Sequence, residues 1–200
     1  VAENGEVRPA WQYIVDSLGG LEPAELDQRR HKALRILRDD GATYNVYDSA
    51  KSDNTWLLDL IPWVIPSDDW TVIEVGLQER AELFNLILAD IYGDRELIAR
   101  GIVPPELILG HKAFLRSCQG ISLPGEHQLI IHSADLIRRP DGAMCVLSDR
   151  TQAPSGMGYA LENRTIVSRV LPEFYRSMPV ERLGPFFDTL RKALHALSPR

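Results

Sequence analysis

The chain has 200 residues, 44% hydrophobic and 25% charged, with a formal net charge of -6 and a pI near 5.4. That apolar share excludes a disordered chain, and the acidic balance argues against a general nucleic-acid binder, whose phosphate affinity rests on clustered Lys and Arg. Cys118 and Cys145 lack metal-ligand or framework spacing, and no apolar run reaches membrane-spanning length, so the chain reads as soluble, without a zinc site, and at home in a reducing cytoplasm.

The N-terminal "VAENGEVRPAW" has no basic start followed by an apolar run and so does not resemble a leader. "AWQYIVDSLGG" carries Trp11, Ile14, Val15 and Leu18 at helical spacing, with Gly19 placed to end the helix. "EPAELDQRRHKALRILRDDG" predicts a second helix, started by Pro23, with Leu26, Ala33, Leu34 and Leu37 on one face and Gly41 past its end. "ATYNVY" and "WLLDLIPWVIP" are rich in aromatic and branched residues and read as strands, the second interrupted by its prolines. "SDDWTVIEVGLQERAELFNLILADIYG" opens on the capping Ser67 and acids and repeats Leu77, Ala81, Phe84, Leu88 and Ile91 at steps of three and four, predicting the longest helix.

"HQLIIHSADLIRRPDGAMCVLSD" joins two β-rich runs around "RPDG" and predicts a hairpin, with Asp149 ending its second strand. The small-residue loop Ala153 to Gly158 comes next and is expected to be loosely packed. Two helical patterns close the chain, "LENRTIVSRVLPEFYRSM", broken or restarted near Pro172, and "VERLGPFFDTLRKALHAL". No internal repeat, low-complexity tract or linker is evident, which favours a single α+β domain over 1–200 with a mixed, hairpin-containing sheet and flanking helices.

The candidate chemistry lies in "VLSDRTQAPSGMGYALENR". Asp149 at a strand end, with Glu162 and Asn163 after the loop, supplies three oxygen donors that one returning turn could gather, and hard oxygen donors are what Mg²⁺ takes. Arg150, Arg164 and Arg169 could face one anion with bidentate donors. The plain alternative is that Asp149 caps a turn and Glu162 pairs with a helix arginine. "GMGYAL" begins like a dinucleotide fingerprint but has Leu161 at the third glycine position, and no Gly-Lys-Ser/Thr comes after it. What remains is a loop in which Gly156 and Gly158 let a ligand approach the backbone closely, or a plain connection. His111, His127, His132 and His195 are scattered and read as surface or satisfied histidines, and no nucleophile elbow is present.

Several strings resemble a known family. "RILRDDGATYNVY", "EVGLQERAELFNLILADIYG", "GIVPPELILGHKAFLR", "HSADLIRRPDGAMCVLSDRTQAPSGMGYALENR" and "SRVLPEFY" are similar to the circularly permuted type 2 ATP-grasp proteins, relatives of glutathionylspermidine synthase. The resemblance runs from about Leu34 to about Leu190. It implies ATP-dependent ligation of a carboxylate to an amine through an acyl phosphate, with ATP and Mg²⁺ as cofactors. It also implies metal ligation by Asp149, Glu162 and Asn163, and charge stabilisation by Arg164, Arg150 and Arg169. In related ligases the Glu and Asn are commonly separated by one residue, whereas Glu162 and Asn163 are adjacent, which suits one of them to a supporting role. There is no basic, glycine-rich lid after Leu197, so the chain resembles the N-terminal portion of a longer protein, and the segment alone is expected not to turn over ATP. The expected partners are a small-molecule or peptide carboxylate, an amine and the remainder of the chain, with no nucleic acid and no membrane. The rival reading is a non-catalytic module that keeps the fold and binds a peptide or protein.

Overall fold

The computed structural model describes residues 5–43, 56–125 and 127–198. In chain order its elements are helices α1 (Pro9–Gly19), α2 (Pro23–Asp39), α3 (Ser67–Tyr92), α4 (Glu96–Ala99) and α5 (Pro105–Leu109), and a 3₁₀ turn at Arg116–Cys118. Next come strands β1 (Ser133–Arg138) and β2 (Met144–Arg150), then helices α6 (Met157–Val170), α7 (Pro172–Ser177) and α8 (Gly184–Leu197). The class is α+β, as the sequence predicts. The residues group into two compact units, one of 1–67 and 155–183, the other of 68–154 and 184–200.

The first unit is helical. Pro9, Pro23 and Pro172 each open a helix, where a missing N–H costs nothing and the fixed φ is already helical. Its core joins Ile14 of α1, Ala33 and Leu37 of α2, Ile166, Val167 and Val170 of α6, Leu171, and Phe174 of α7, with Leu60 from the segment between α2 and α3. Arg29 of α2 ties these helices together, donating to Glu173 and to the Val170 carbonyl, the latter over 3.3 Å. Such a bond satisfies one of the carbonyls that a helix leaves unpaired at its C-terminal end.

The second unit is organised around α3 and the hairpin. The strands are antiparallel and pair Ser133 with Arg150, Ala134 with Asp149, Asp135 with Ser148, Leu136 with Val146, Ile137 with Cys145 and Arg138 with Met144. Leu147 is skipped by this register and forms a β-bulge. The turn is built as "RPDG" predicts: Arg139 N–H donates to the Ala143 carbonyl over 2.8 Å, and Gly142 takes φ +89°, a value that favours glycine. Arg138 pairs with Asp69 in the first turn of α3 at 2.9 Å. Further along α3 the buried Asn85 accepts the N–H groups of both Gln128 and Leu129, at 2.7 and 3.1 Å, fixing the approach to β1.

Two expectations are corrected. "WLLDLIPWVIP" forms no strand: 56–66 is irregular, because Pro62 and Pro66 cannot donate to a ladder and the Ile61 N–H turns back to the Asp59 carboxylate over 3.0 Å. The "ATYNVY" strand falls mostly on 44–47, outside the described residues. The glycine loop is shorter than expected, and of its residues Ala153, Ser155, Gly156 and Gly158 are exposed. Helix α6 begins at Met157, which places Gly158 inside it, and Pro154 is buried because its ring is an apolar body despite its small size.

Candidate functional site

Asp149 is the next-to-last residue of β2 and lies on the less exposed face of the hairpin. A strand alternates faces, so Asp149 shares its side with its partner Ala134 and with the diagonal residue His132. His132 Nε2 lies 2.9 Å from Asp149 Oδ1, and the two side chains are 9% and 12% exposed. From α3, Arg80 reaches the same carboxylate in a fork, Nε to Oδ1 at 2.7 Å and the terminal nitrogen to Oδ2 at 2.5 Å. One helical turn on, the Phe84 ring lies under the Arg80 guanidinium at 5.5 Å and beside the His132 ring at 5.7 Å. Arg80 above all, with His132 adding to it, holds the Asp149 carboxyl down at about 2, despite the opposing cost of burial.

Arg150 points to the other face, where it pairs with Asp135 at 3.1 Å beside the Ser148 hydroxyl. The period of two in a strand therefore separates Arg150 from Asp149, although they are neighbours in sequence.

The other candidates lie on α6, in the first unit. Gly156 takes φ +106° at the helix start, and a Cβ placed on Gly156 or Gly158 would meet nothing within 4 Å, so the backbone there is open to close approach. Ala153 has φ +44°, an uncommon value for a residue with a side chain. Glu162 Oε1 is buried and accepts no hydrogen bond. Burial pushes the Glu162 carboxyl up, the nearby Asp40 carboxylate adds to the rise, and Arg169 opposes it. Arg169 also approaches Asp40 at 3.9 Å. Asn163 faces a different way: its Oδ1 accepts the Trp56 indole N–H at 2.9 Å, and Trp56 stacks on Tyr159 with ring centres 4.5 Å apart. Arg164 donates to the Glu181 carbonyl.

Arg80, His132, Asp40 and Trp56 are missed by sequence reasoning as members of these clusters. For His132 a signal existed, since a histidine inside the apolar run "QLIIHSADL" two residues off the partner of Asp149 is expected on that acid's face. Arg80 is 69 positions from Asp149, and nothing local marks that pairing.

Oxygen donors suit Mg²⁺, and the candidates fit it unequally. Glu162 has an unsatisfied buried oxygen. Asn163 Oδ1 keeps one lone pair beyond the Trp56 bond. Asp149 is already compensated by Arg80 and His132. Among the described residues no group of three or more His, Cys, Asp or Glu side chains converges as a metal cage.

A sequence model described as circularly permuted ATP-grasp type 2 matches residues 62–200, and the chain belongs to that family. An uncharacterized protein of Mycobacterium tuberculosis is 38% identical over 208 residues, a match covering 100% of this chain and 24% of that protein. An uncharacterized protein of Synechocystis is 32% identical over 196 residues, covering 98% of this chain and 41% of its own length. A Frankia alni protein named "Putative glutamate-cysteine ligase 2-3" is 35% identical over 201 residues, covering 100% of this chain and 23% of that protein. The chain thus spans about a quarter of the Mycobacterium and Frankia relatives. Among the described residues no helix is long and apolar enough to cross a membrane.

Proposed function

We propose that the protein containing this chain is a cytoplasmic ATP-dependent carboxylate-amine ligase, related to glutathionylspermidine synthase and acting through an acyl phosphate. ATP-grasp proteins typically use ATP with Mg²⁺, and the ligase name borne by the Frankia relative supports the reaction class. In the proposed reaction a substrate carboxylate attacks the γ-phosphorus and ADP leaves. An amine then attacks the acyl carbon and expels phosphate. The remainder of the chain completes the nucleotide site.

Asp149, Glu162 and Asn163 are the proposed Mg²⁺ ligands. Mg²⁺, when bound, neutralises charge on the nucleotide phosphates. Arg164 and Arg169, with Arg150 from the outer face of the hairpin, are proposed to bind anionic oxygens, for which the planar guanidinium is suited. Gly156 and Gly158 are proposed to let a phosphate or substrate reach the backbone at the start of α6.

The observation that carries this reading is the buried Oε1 of Glu162, a residue within the family-matched stretch, set beside the carboxylate of Asp40. Two carboxylates held together at a partly desolvated site are costly to ionise unless positive charge meets them, and Arg169 supplies only part of it. The test is phosphate release by the full-length protein given ATP, Mg²⁺ and a pool of amino acids and polyamines. Asp149→Asn and Glu162→Gln should each lower turnover by roughly a hundredfold. Absence of ATP-dependent turnover with every pool would favour the non-catalytic binding module.

A further inference from the structure

We propose that Trp56 sets the polarity of the Asn163 side chain, so that its amide group meets the ligand of this site as a hydrogen-bond donor to an anionic oxygen, of a phosphate or of a carboxylate. The proposal rests on the reading of the chain as part of a ligase, and it assigns a donor that the oxygen of Asn163 does not supply. An amide has one end that accepts and one that donates, nearly alike in shape, so a neighbour of fixed character decides which way round it lies. The Trp56 indole N–H is such a neighbour, since it donates and never accepts. It lies 2.9 Å from Asn163 Oδ1, and the reverse orientation would set two donors against each other. The Trp56 ring is itself held, stacked on Tyr159, whose hydroxyl donates to the Thr43 carbonyl.

With Oδ1 turned to Trp56, the open end of Asn163 is its amide nitrogen. That nitrogen has no partner among the described residues, and it is not sealed off, because the one buried side-chain nitrogen or oxygen without a partner there is Glu162 Oε1. Its surroundings suit an anion. Residues four and seven positions before Asn163 share its side of α6, and they are Tyr159 and Gly156, neither of them charged. Glu162, with Asp40 beside it, is one residue and so about 100° round the helix. Helical side chains lean towards the N-terminal end. The amide therefore leans towards the start of α6, where no side chain caps the helix and the N–H groups of 157–159 have no partner among the described residues.

Asn163→Asp isolates the donor, because it keeps an oxygen for Trp56 and replaces only the amide nitrogen. Binding to the full-length protein is read from the rise of melting temperature with ligand concentration, in EDTA and again in Mg²⁺. One arm uses ATP, for a phosphate oxygen, and the other uses each amino acid in turn, for a carboxylate. Asn163→Asp should weaken at least one arm by roughly tenfold or more, since a bond to a charged oxygen is lost, and the arm that weakens identifies the source. Trp56→Phe leaves the amide equally able to lie either way, so the same arm should weaken about twofold. The double variant should bind as Asn163→Asp does, because a carboxylate has no polarity to set. Further weakening in the double variant would make Trp56 merely structural and overturn its positioning role. Wild-type binding that Asn163→Asp leaves equal or tighter would overturn the donor and leave the ligase reading standing. No ATP binding by the wild type in either buffer would overturn both. Should Asn163→Asp fail to fold, Asn163→Ala takes its place. It removes the donor without adding charge, and unchanged binding refutes the proposal.

Discussion

The indole N–H of Trp56 donates to Asn163 Oδ1 over 2.9 Å, while the same ring stacks on Tyr159. One aromatic residue thereby orients two positions on the first two turns of α6. Trp56→Phe keeps most of the ring contact and removes the donor, so it should cost about 1 kcal/mol of stability. Urea unfolding of the two proteins measures this, and an unchanged midpoint would show that the bond contributes nothing to stability.

Asp149 ties the hairpin to α3 electrostatically, and its pH dependence has a definite sign. Its folded pKa, about 2, lies below the ordinary 3.8. The group therefore contributes stability that is present above pH 3.8 and is lost as pH falls through 2. Thermal melts of wild type and Asp149→Asn should differ by a constant amount above about pH 5, and the gap should close below pH 3.8. A gap that stays constant down to pH 2 would mean that Arg80 and His132 do not hold the ionised form.

Glu162 behaves oppositely. Its carboxyl is raised above 4.5, so ionising it in place costs stability as pH rises through 4.5 towards the folded value. Glu162→Gln should raise the melting temperature of the metal-free protein at pH 7, by roughly 2–4 °C for each kcal/mol recovered. The difference should disappear at pH 4, where the wild-type acid is protonated. A lower melting temperature at pH 7 would show that the ionised carboxylate has a favourable partner.

The helical core gives the largest stability effect. Ile166 is fully buried among α1, α2 and α7 residues, so Ile166→Ala should cost about 2–5 kcal/mol by leaving a cavity. Leu161, one turn earlier but 41% exposed, should tolerate alanine within about 0.5 kcal/mol. Equal losses at the two positions in guanidinium unfolding would contradict this placement of the core.

The longer helices were legible because their ends are written locally, whereas the short α4 and α5 went unpredicted. Pro9, Pro23 and Pro172 open three of the predicted helices, and the three-and-four spacing of apolar residues marks α3 and α8. The 56–66 segment was not, since its branched and aromatic residues are used for packing on the first unit's core, with Trp56, Leu58 and Val64 against it and Leu60 inside it. Composition carries burial there and not hydrogen-bond pattern. The family block identified Asp149, Glu162 and Asn163 as candidates. The partners that determine their charge state, Arg80 and Asp40, come from other helices far along the chain, and such pairings are set by tertiary packing.

The bulge at Leu147 makes the hairpin tolerant of a change in length at one position. Asp135 pairs with Ser148 and Leu136 with Val146, so Leu147 has no opposite number, and its side chain is 65% exposed. Excising it would bring Val146 and Ser148 into ordinary succession with every existing pairing preserved. Asp149 would keep its orientation towards α3 and Arg150 its outward one. In a strand without a bulge, losing one residue would shift the phase of its remaining residues, exchange those two orientations and present a guanidinium to Arg80. Position 147 is thus where an evolving chain can drop a residue without reversing the electrostatics of the strand end.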